Sequence, residues 1–209
     1  MTNPLLRVPL PLAGLLALAV AMGIGRFAFT PLLPLMQADA GLTLVQGGWL
    51  ASANYLGYLV GALTITRISW SAETLLRSGL WLVVITTATM GVDGSWSGWL
   101  LWRFVAGLAS AWTFVATSSL CIARLTAAGR GRQSGIVFSG VGCGIMFAGL
   151  VCMALALLQQ DSARIWLWMG AAALAGLLGA SMFSGDQLDQ PAGTLSGGEK
   201  TRLALAALV

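Results

Sequence analysis

An all-α, polytopic membrane protein with six transmembrane helices arranged as two three-helix inverted repeats is the fold class predicted by this 209-residue sequence. Three observations lead there. Hydrophobic residues make up 57% of the chain and charged residues 9%, with a mean hydropathy of +0.85, whereas a soluble domain carries about 25% charged residues. A window of about 20 residues, the length of helix that crosses the hydrocarbon core, finds six apolar stretches. Arg26 lies inside the first of them. A charge near the bilayer centre costs about 2.5 to 3.5 kcal/mol on insertion scales, so it persists only where it faces a protein interior or a wet cavity.

The predicted spans run over residues 10–36, 44–66, 78–92, 96–123, 134–158 and 165–184. The first begins after Arg7 like a secretory signal, but its apolar character outlasts a signal's length and five more spans follow, so it reads as a retained helix. Pro31 and Pro34 remove backbone donors from it and should bend it. The third span is short, so either it extends into its flanks or the bilayer thins there. The net charge of +4 would suggest nucleic acid in a polar chain. Here the arginines are spread between apolar blocks, so no nucleic-acid partner is expected; the partners are the lipid bilayer and a small-molecule solute.

Loop charges set the orientation. Arg7, Arg67, Arg77, Arg124, Arg130 and Arg132 fall before span one, between two and three, and between four and five; the opposite loops carry Asp39, Asp93, Asp161 and a single basic residue, Arg164. By the positive-inside rule both termini are cytoplasmic. Trp96, Trp99, Trp166 and Trp168 then stand at the outer interface and Trp70 at the inner one, as anchors. Cys121, Cys143 and Cys152 fall inside apolar segments with no CxxC pair and no histidine in the chain, so they read as packing residues, and no metal or cofactor is expected.

Three-helix inverted repeats build many transporters, and the pairs Arg26-Phe27 and Arg103-Phe104, in spans one and four, are a faint internal echo. They contain the only arginines within spans. Gly107, Ser110, Phe114 and Thr117 follow Arg103 at helical steps of three or four and share its face. Asn54 and Tyr58 are one turn apart on span two, and Thr30 lies one turn beyond Arg26. The candidate solute-binding residues are therefore Arg26, Thr30, Asn54, Tyr58, Arg103 and Thr117, with no catalytic residue and no enzymatic activity expected. The alternative is that the arginines bond to backbone carbonyls or to Asp93 and hold the helices in register, and that Gly107 and Ser110 serve close packing. Gly57 and Gly61, and likewise Gly140 and Gly144, form GxxxG steps that let helix backbones approach in lipid, where packing drives association.

The stretches Gly23-Ile-Gly-Arg-Phe-Ala-Phe-Thr-Pro-Leu-Leu-Pro-Leu-Met36 and Gly48-Trp-Leu-Ala-Ser-Ala-Asn-Tyr-Leu-Gly-Tyr-Leu-Val-Gly61 resemble the first two helices of the YbfB/YjiJ-type branch of the major facilitator superfamily. Arg103-Phe-Val-Ala-Gly107 resembles that superfamily's fourth-helix RxxxG motif, and the glycine-rich run from Gly135 to Gly149 resembles its fifth helix. The resemblance covers about residues 5–184 and implies a secondary transporter of bacterial inner membranes. Two features depart from the pattern. The loop after span two, Gly61 to Arg67, lacks the aspartate of the superfamily's usual loop motif, and span five lacks the proline of the antiporter motif. Superfamily members have two six-helix halves, so residues 1–184 read as one half. Transport would then need either a homodimer of halves or a separate second half.

Residues 185–209 form a cytoplasmic tail that does not read as an independent domain. Within it Leu195-Ser-Gly-Gly-Glu-Lys-Thr-Arg-Leu-Ala-Leu-Ala206 resembles the signature motif of ABC-type ATPases, especially the ABC-F class. In those proteins the signature's amides open a helix and meet nucleotide phosphates held by a partner's P-loop. No GxxxxGK[ST] sequence occurs in this chain, so the tail reads as a foreign segment joined to a transporter half. The function expected is secondary active transport of a small solute by alternating access, coupled to an ion gradient. Paired cations without a deep carboxylate favour an anionic solute. The alternative is a non-transporting six-helix interaction module or an inactive fragment or fusion.

Overall fold

The computed structural model describes residues 9–181. The tail 185–209, with its signature-like motif, and residues 182–184 of the predicted last span lie outside the described residues. Among the described residues the secondary structure is entirely helical. Six long helices follow one another: α1 Leu10–Asp39, α2 Leu44–Thr64, α3 Ala72–Val92, α4 Trp96–Ala127, α5 Ser134–Leu157 and α6 Ser162–Ser181, with a 3₁₀ turn at Gly131–Gln133 before α5. Five of the six are long and apolar enough to cross a membrane. The exception is α2, which at 21 residues is long enough, at about 1.5 Å per residue, but is diluted by Gln46, Ser52, Asn54 and four glycines. The short third span resolves by extension. Ala72–Val92 takes in Glu73 and Arg77, which pair one turn apart and so carry the helix through residues that a hydropathy window rejects.

Helix starts are written in the loops. Thr43 caps α2 and makes a reciprocal capping box with Gln46, Ser71 caps α3 through the Thr74 amide, and Ser95 caps α4 through the Gly98 amide. Past the end of α4, Gly129 takes φ +68°, and the Arg130 amide turns back to the Leu125 carbonyl, closing the last turn.

Consecutive helices run in opposite directions, and the longest two, α1 and α4, lie at the centre and are the most buried. They cross antiparallel. Parallel neighbours flank them, α5 along α1 and α2 along α4, while α3 and α6 pack on each other and close the far side. The parallel pairs are made by the two glycine steps. A Cβ on Gly57 or Gly61 would strike the carbonyls of Phe104 and Leu108 on α4, and a Cβ on Gly140 or Gly144 would strike those of Leu15 and Ala19 on α1. Gly107 meets the Asn54 carbonyl in the same way, so all five glycines assigned to packing sit at backbone-to-backbone contacts. If the two steps are superposed, Leu15 corresponds to Phe104 and Ala19 to Leu108. In that register Arg103 falls opposite Gly14 rather than Arg26.

The core holds two of the tryptophans expected as anchors. Trp166 is 1% exposed, its indole N–H against the Met36 sulfur at 3.4 Å, and Trp99 is buried. Trp70 and Trp168 are half-exposed, as anchors would be. Cys121 and Cys152 are buried, whereas Cys143 faces outward.

Candidate functional site

The middle of α1 is not α-helical. Ala19–Phe27 is a π-helix, between α-helical Leu10–Leu18 and Phe29–Asp39. Such i→i+5 segments are rare and concentrate at functional positions. Downstream, Pro31 has no N–H to give either the Phe27 carbonyl in an α register or the Arg26 carbonyl in a π register. In the π register the Arg26 carbonyl is therefore open to a side chain from a neighbour.

That neighbour is α4. Arg103, 3% exposed, donates from Nη1 to the Gly25 carbonyl at 3.2 Å and from Nη2 to the Arg26 carbonyl at 3.1 Å. Its guanidinium carbon lies 4.8 Å from the Phe29 ring centroid. Two turns further on, the single hydroxyl proton of Ser110 lies between the Ala21 carbonyl of the same π segment at 2.8 Å and the Ala106 carbonyl of its own helix at 2.7 Å. Asn54 of α2 in turn donates to the carbonyl of Arg103 at 2.9 Å. Asn54 and Arg103 thus meet at one spot as helix-to-helix ties, and for Arg103 the partners are backbone carbonyls.

Arg26 is placed differently. Its side chain is half-buried and stands over aromatic rings, with the guanidinium carbon 3.9 Å from the Tyr58 centroid, 5.1 Å from Tyr55 and 5.6 Å from Phe27. A cation over ring faces is held by their quadrupoles, and the buried Nε of Arg26 has no hydrogen-bond partner among the described residues. Among the described residues the ion pairs are Glu73–Arg77 and Asp161–Arg164, so neither Arg26 nor Arg103 is neutralised by a carboxylate there. The two acids considered as partners are engaged elsewhere. Asp39 accepts from the Ser162 amide and hydroxyl at 2.5 and 2.8 Å, tying the end of α1 to the start of α6. Asp93 accepts from the Ser95 amide and hydroxyl and from the Trp102 indole.

Of the six candidates, the fold brings Arg26, Asn54, Tyr58 and Arg103 together, with Thr30 exposed one turn beyond Arg26. Thr117 does not join them. It lies about 21 Å further along α4 at 1.5 Å per residue, buried, and lines a separate cavity of about 350 Å³ between α1, α3, α4 and α6, whose wall also includes Glu73, Arg77, Cys121 and Arg124. Phe114 packs toward Phe138 of α5 at 6.2 Å. Sequence reasoning missed Tyr55, whose spacing of three from Tyr58 on the same helix was the available signal.

Apolar helices of spanning length, packed through glycines around a cation with no acid beside it, define a multi-pass membrane protein. The comparisons with known proteins make this specific. Residues 18–195 match the family model described as "Uncharacterised MFS-type transporter YbfB", and the chain belongs to that family of transporters, which are not enzymes. Among curated relatives, the MFS-type transporter YcaD of Salmonella dublin is 30% identical over 175 residues, covering 82% of this chain and 44% of that protein. YcaD of Salmonella arizonae is 33% identical over 132 residues, covering 60% of this chain and 32% of that protein. The chain spans less than half the length of the curated relatives it matches.

Proposed function

We propose that this chain is one six-helix half of a secondary transporter that carries a small anionic solute by alternating access, with Arg26 as the solute's charge partner. The observation that carries this reading is the state of Arg26: a cation within a spanning helix, held by the faces of Tyr58 and Tyr55 rather than by an acid or by carbonyls. An anion reaching it would gain charge-assisted hydrogen bonds in a medium of low dielectric. Thr30 and the exposed Tyr55 lie beside it as further contacts. Arg103 and Asn54 serve this site as braces, and Thr117 stands apart from it.

The inverted-repeat reading is supported by the helix pairs. Exchanging α1 with α4 and α2 with α5 turns the α1–α5 contact into the α4–α2 contact, and each is built by a GxxxG step against carbonyls four residues apart. The second half would come from a second copy or from another polypeptide. Residues 185–209 would be an accessory tail, and the setting a bacterial inner membrane with both termini cytoplasmic.

The test is a thermal-stability screen of the purified protein in detergent against small monocarboxylates, dicarboxylates and organophosphates, with neutral and cationic solutes as controls. A ligand that binds the folded state raises apparent stability by about 2.7 kcal/mol at 100 times its Kd. We expect stabilisation by a subset of anions only, abolished by Arg26→Ala and partly restored by Arg26→Lys. No response to any anion, or a response that survives Arg26→Ala, would overturn the reading.

A further inference from the structure

We infer that Arg103 and Ser110 of α4 hold the π-helical register of α1 and thereby set the direction in which Arg26 points, which makes Arg103 a positioning residue for the solute site. The role assigned to Arg26 rests on the function proposed above; the register control does not. The Gly25 and Arg26 carbonyls of the π segment accept from Arg103, and the Ala21 carbonyl shares the Ser110 hydroxyl proton with the Ala106 carbonyl of α4. All the donors come from one face of α4, two turns apart, so the segment is tied near both its start and its end.

Packing explains why the ties can form. Gly25 leaves room for the Ser110 hydroxyl, which would lie 3.1 Å from a Cβ at that position, and Gly23 sits directly against the backbone of Gly144. The remaining wall is Val83 of α3, 2.9 Å from the same Cβ position. A bulkier turn could not bring its carbonyls to α4. Arg103 bridges two successive carbonyls with the two arms of a planar fork, a geometry that a lysine ammonium on a flexible stem does not reproduce.

The consequence is azimuthal. A π turn holds one residue more than the α turn it replaces, so relaxing it to i→i+4 bonding rotates everything downstream against everything upstream by about 100°. Arg26 lies at the downstream end. Without its α4 donors it would leave the Tyr58 face. Ala28, 0% exposed, would turn outward, while Ala17, 2% exposed and upstream, would stay in place.

Single engineered cysteines read this rotation without any transported solute. In a background carrying Cys121→Ala, Cys143→Ser and Cys152→Ala, cysteine is placed at Ala28 or at Ala17, and labelling by N-ethylmaleimide is timed with and without Arg103→Lys. We expect Arg103→Lys to accelerate labelling at Ala28→Cys at least tenfold and leave Ala17→Cys unchanged. Ser110→Ala, a milder change, should act in the same direction by a few-fold, and it carries the test if the Arg103 variant does not fold. Protection of both positions in the variants would overturn the inference. So would equal acceleration at both, since that is the signature of a bundle that has simply loosened. The anion screen on Arg26→Ala remains a separate outcome, so failure of the solute reading and failure of the register reading are distinguishable.

Discussion

Two arginines separated by a single hydrogen-bonded contact have opposite fates, and the difference lies in what the backbone offers each of them. Arg103 meets the Gly25 and Arg26 carbonyls of the π turn, and both arms of its fork are used on them. Arg26 meets rings, which hold a cation without using its N–H groups. The sequence marked both residues as improbable in lipid, which is a statement about burying charge and holds for any fold. It could not mark their partners, because a carbonyl belongs to every residue and leaves no trace in composition. Asp93 shows the same limit outside the membrane. Its carboxyl is held below the usual carboxylate range by the Ser95 hydroxyl, the Ser95 amide and the Trp102 indole. A depressed group contributes at pH values above its unfolded value of about 3.9 and loses that contribution as pH falls through the lower folded value. The Trp102 indole N–H resonance should therefore stay constant from neutral pH through about pH 4 and titrate only below it. Asp93→Asn should move the resonance and remove the titration; a midpoint at or above about pH 4 would contradict the assignment.

At the scale of elements, the six predicted stretches correspond to six helices, five of them long and apolar enough to cross a membrane, where a span of about 20 residues has no other way to satisfy its backbone. Boundaries were less legible. The start of α3 was hidden by the Glu73–Arg77 pair, and the π segment of α1 had no signature beyond its glycines and the prolines after it. The glycine steps were readable in position, and close approach is what GxxxG spacing permits in lipid. Their partners were supplied only by the fold. This makes a sharp comparison between glycines of α5 and α2. Gly140→Val places a Cβ and two methyl groups on the Leu15 carbonyl, and Gly57→Val does the same to that of Phe104; overpacking of this kind costs about 1–3 kcal/mol. Gly142 and Gly149, with open space around them, should accept alanine with no loss and a gain of up to about 1 kcal/mol from helix propensity. Unfolding in detergent by heat or by titrated SDS ranks the four variants.

For the whole molecule, the charge asymmetry of the loops is the property that the sequence exposes most directly and that packing does not touch. The end of the bundle carrying Arg67, Arg77, Arg124, Arg130 and Arg132 should face the cytoplasm. In intact cells, cysteines introduced at Gly94 and Gln160 should react with a membrane-impermeant thiol reagent, while cysteines at Thr66 and Gly131 should react only after the membrane is permeabilised. The reverse pattern would invert the topology. Membership of the family was also legible, carried by the runs around Arg26, Asn54 and Arg103. What the sequence did not contain was the division of labour on one face of α4, where Arg103 and Ser110 reach α1 while Thr117 lines a different cavity. A 3.6-residue period says that residues share a stripe. It does not say that the stripe, about 21 Å long between Arg103 and Thr117 at 1.5 Å per residue, passes from one environment into another.

The aromatic seat of Arg26 also has a bearing on how the chain is made. Tyr55 and Tyr58 belong to α2, so when α1 leaves the ribosome the cation has nothing in lipid to rest on. Its seat is synthesised about 30 residues later, which at roughly 5–20 residues per second is a delay of about 2 to 6 s. During that interval α1 would have to carry the full insertion cost of a bare arginine, about 2.5 to 3.5 kcal/mol, with two prolines weakening it further. The first helix is therefore poorly suited to entering the bilayer alone, and α1 and α2 should partition together as a hairpin, with the second helix acting as the chaperone of the first.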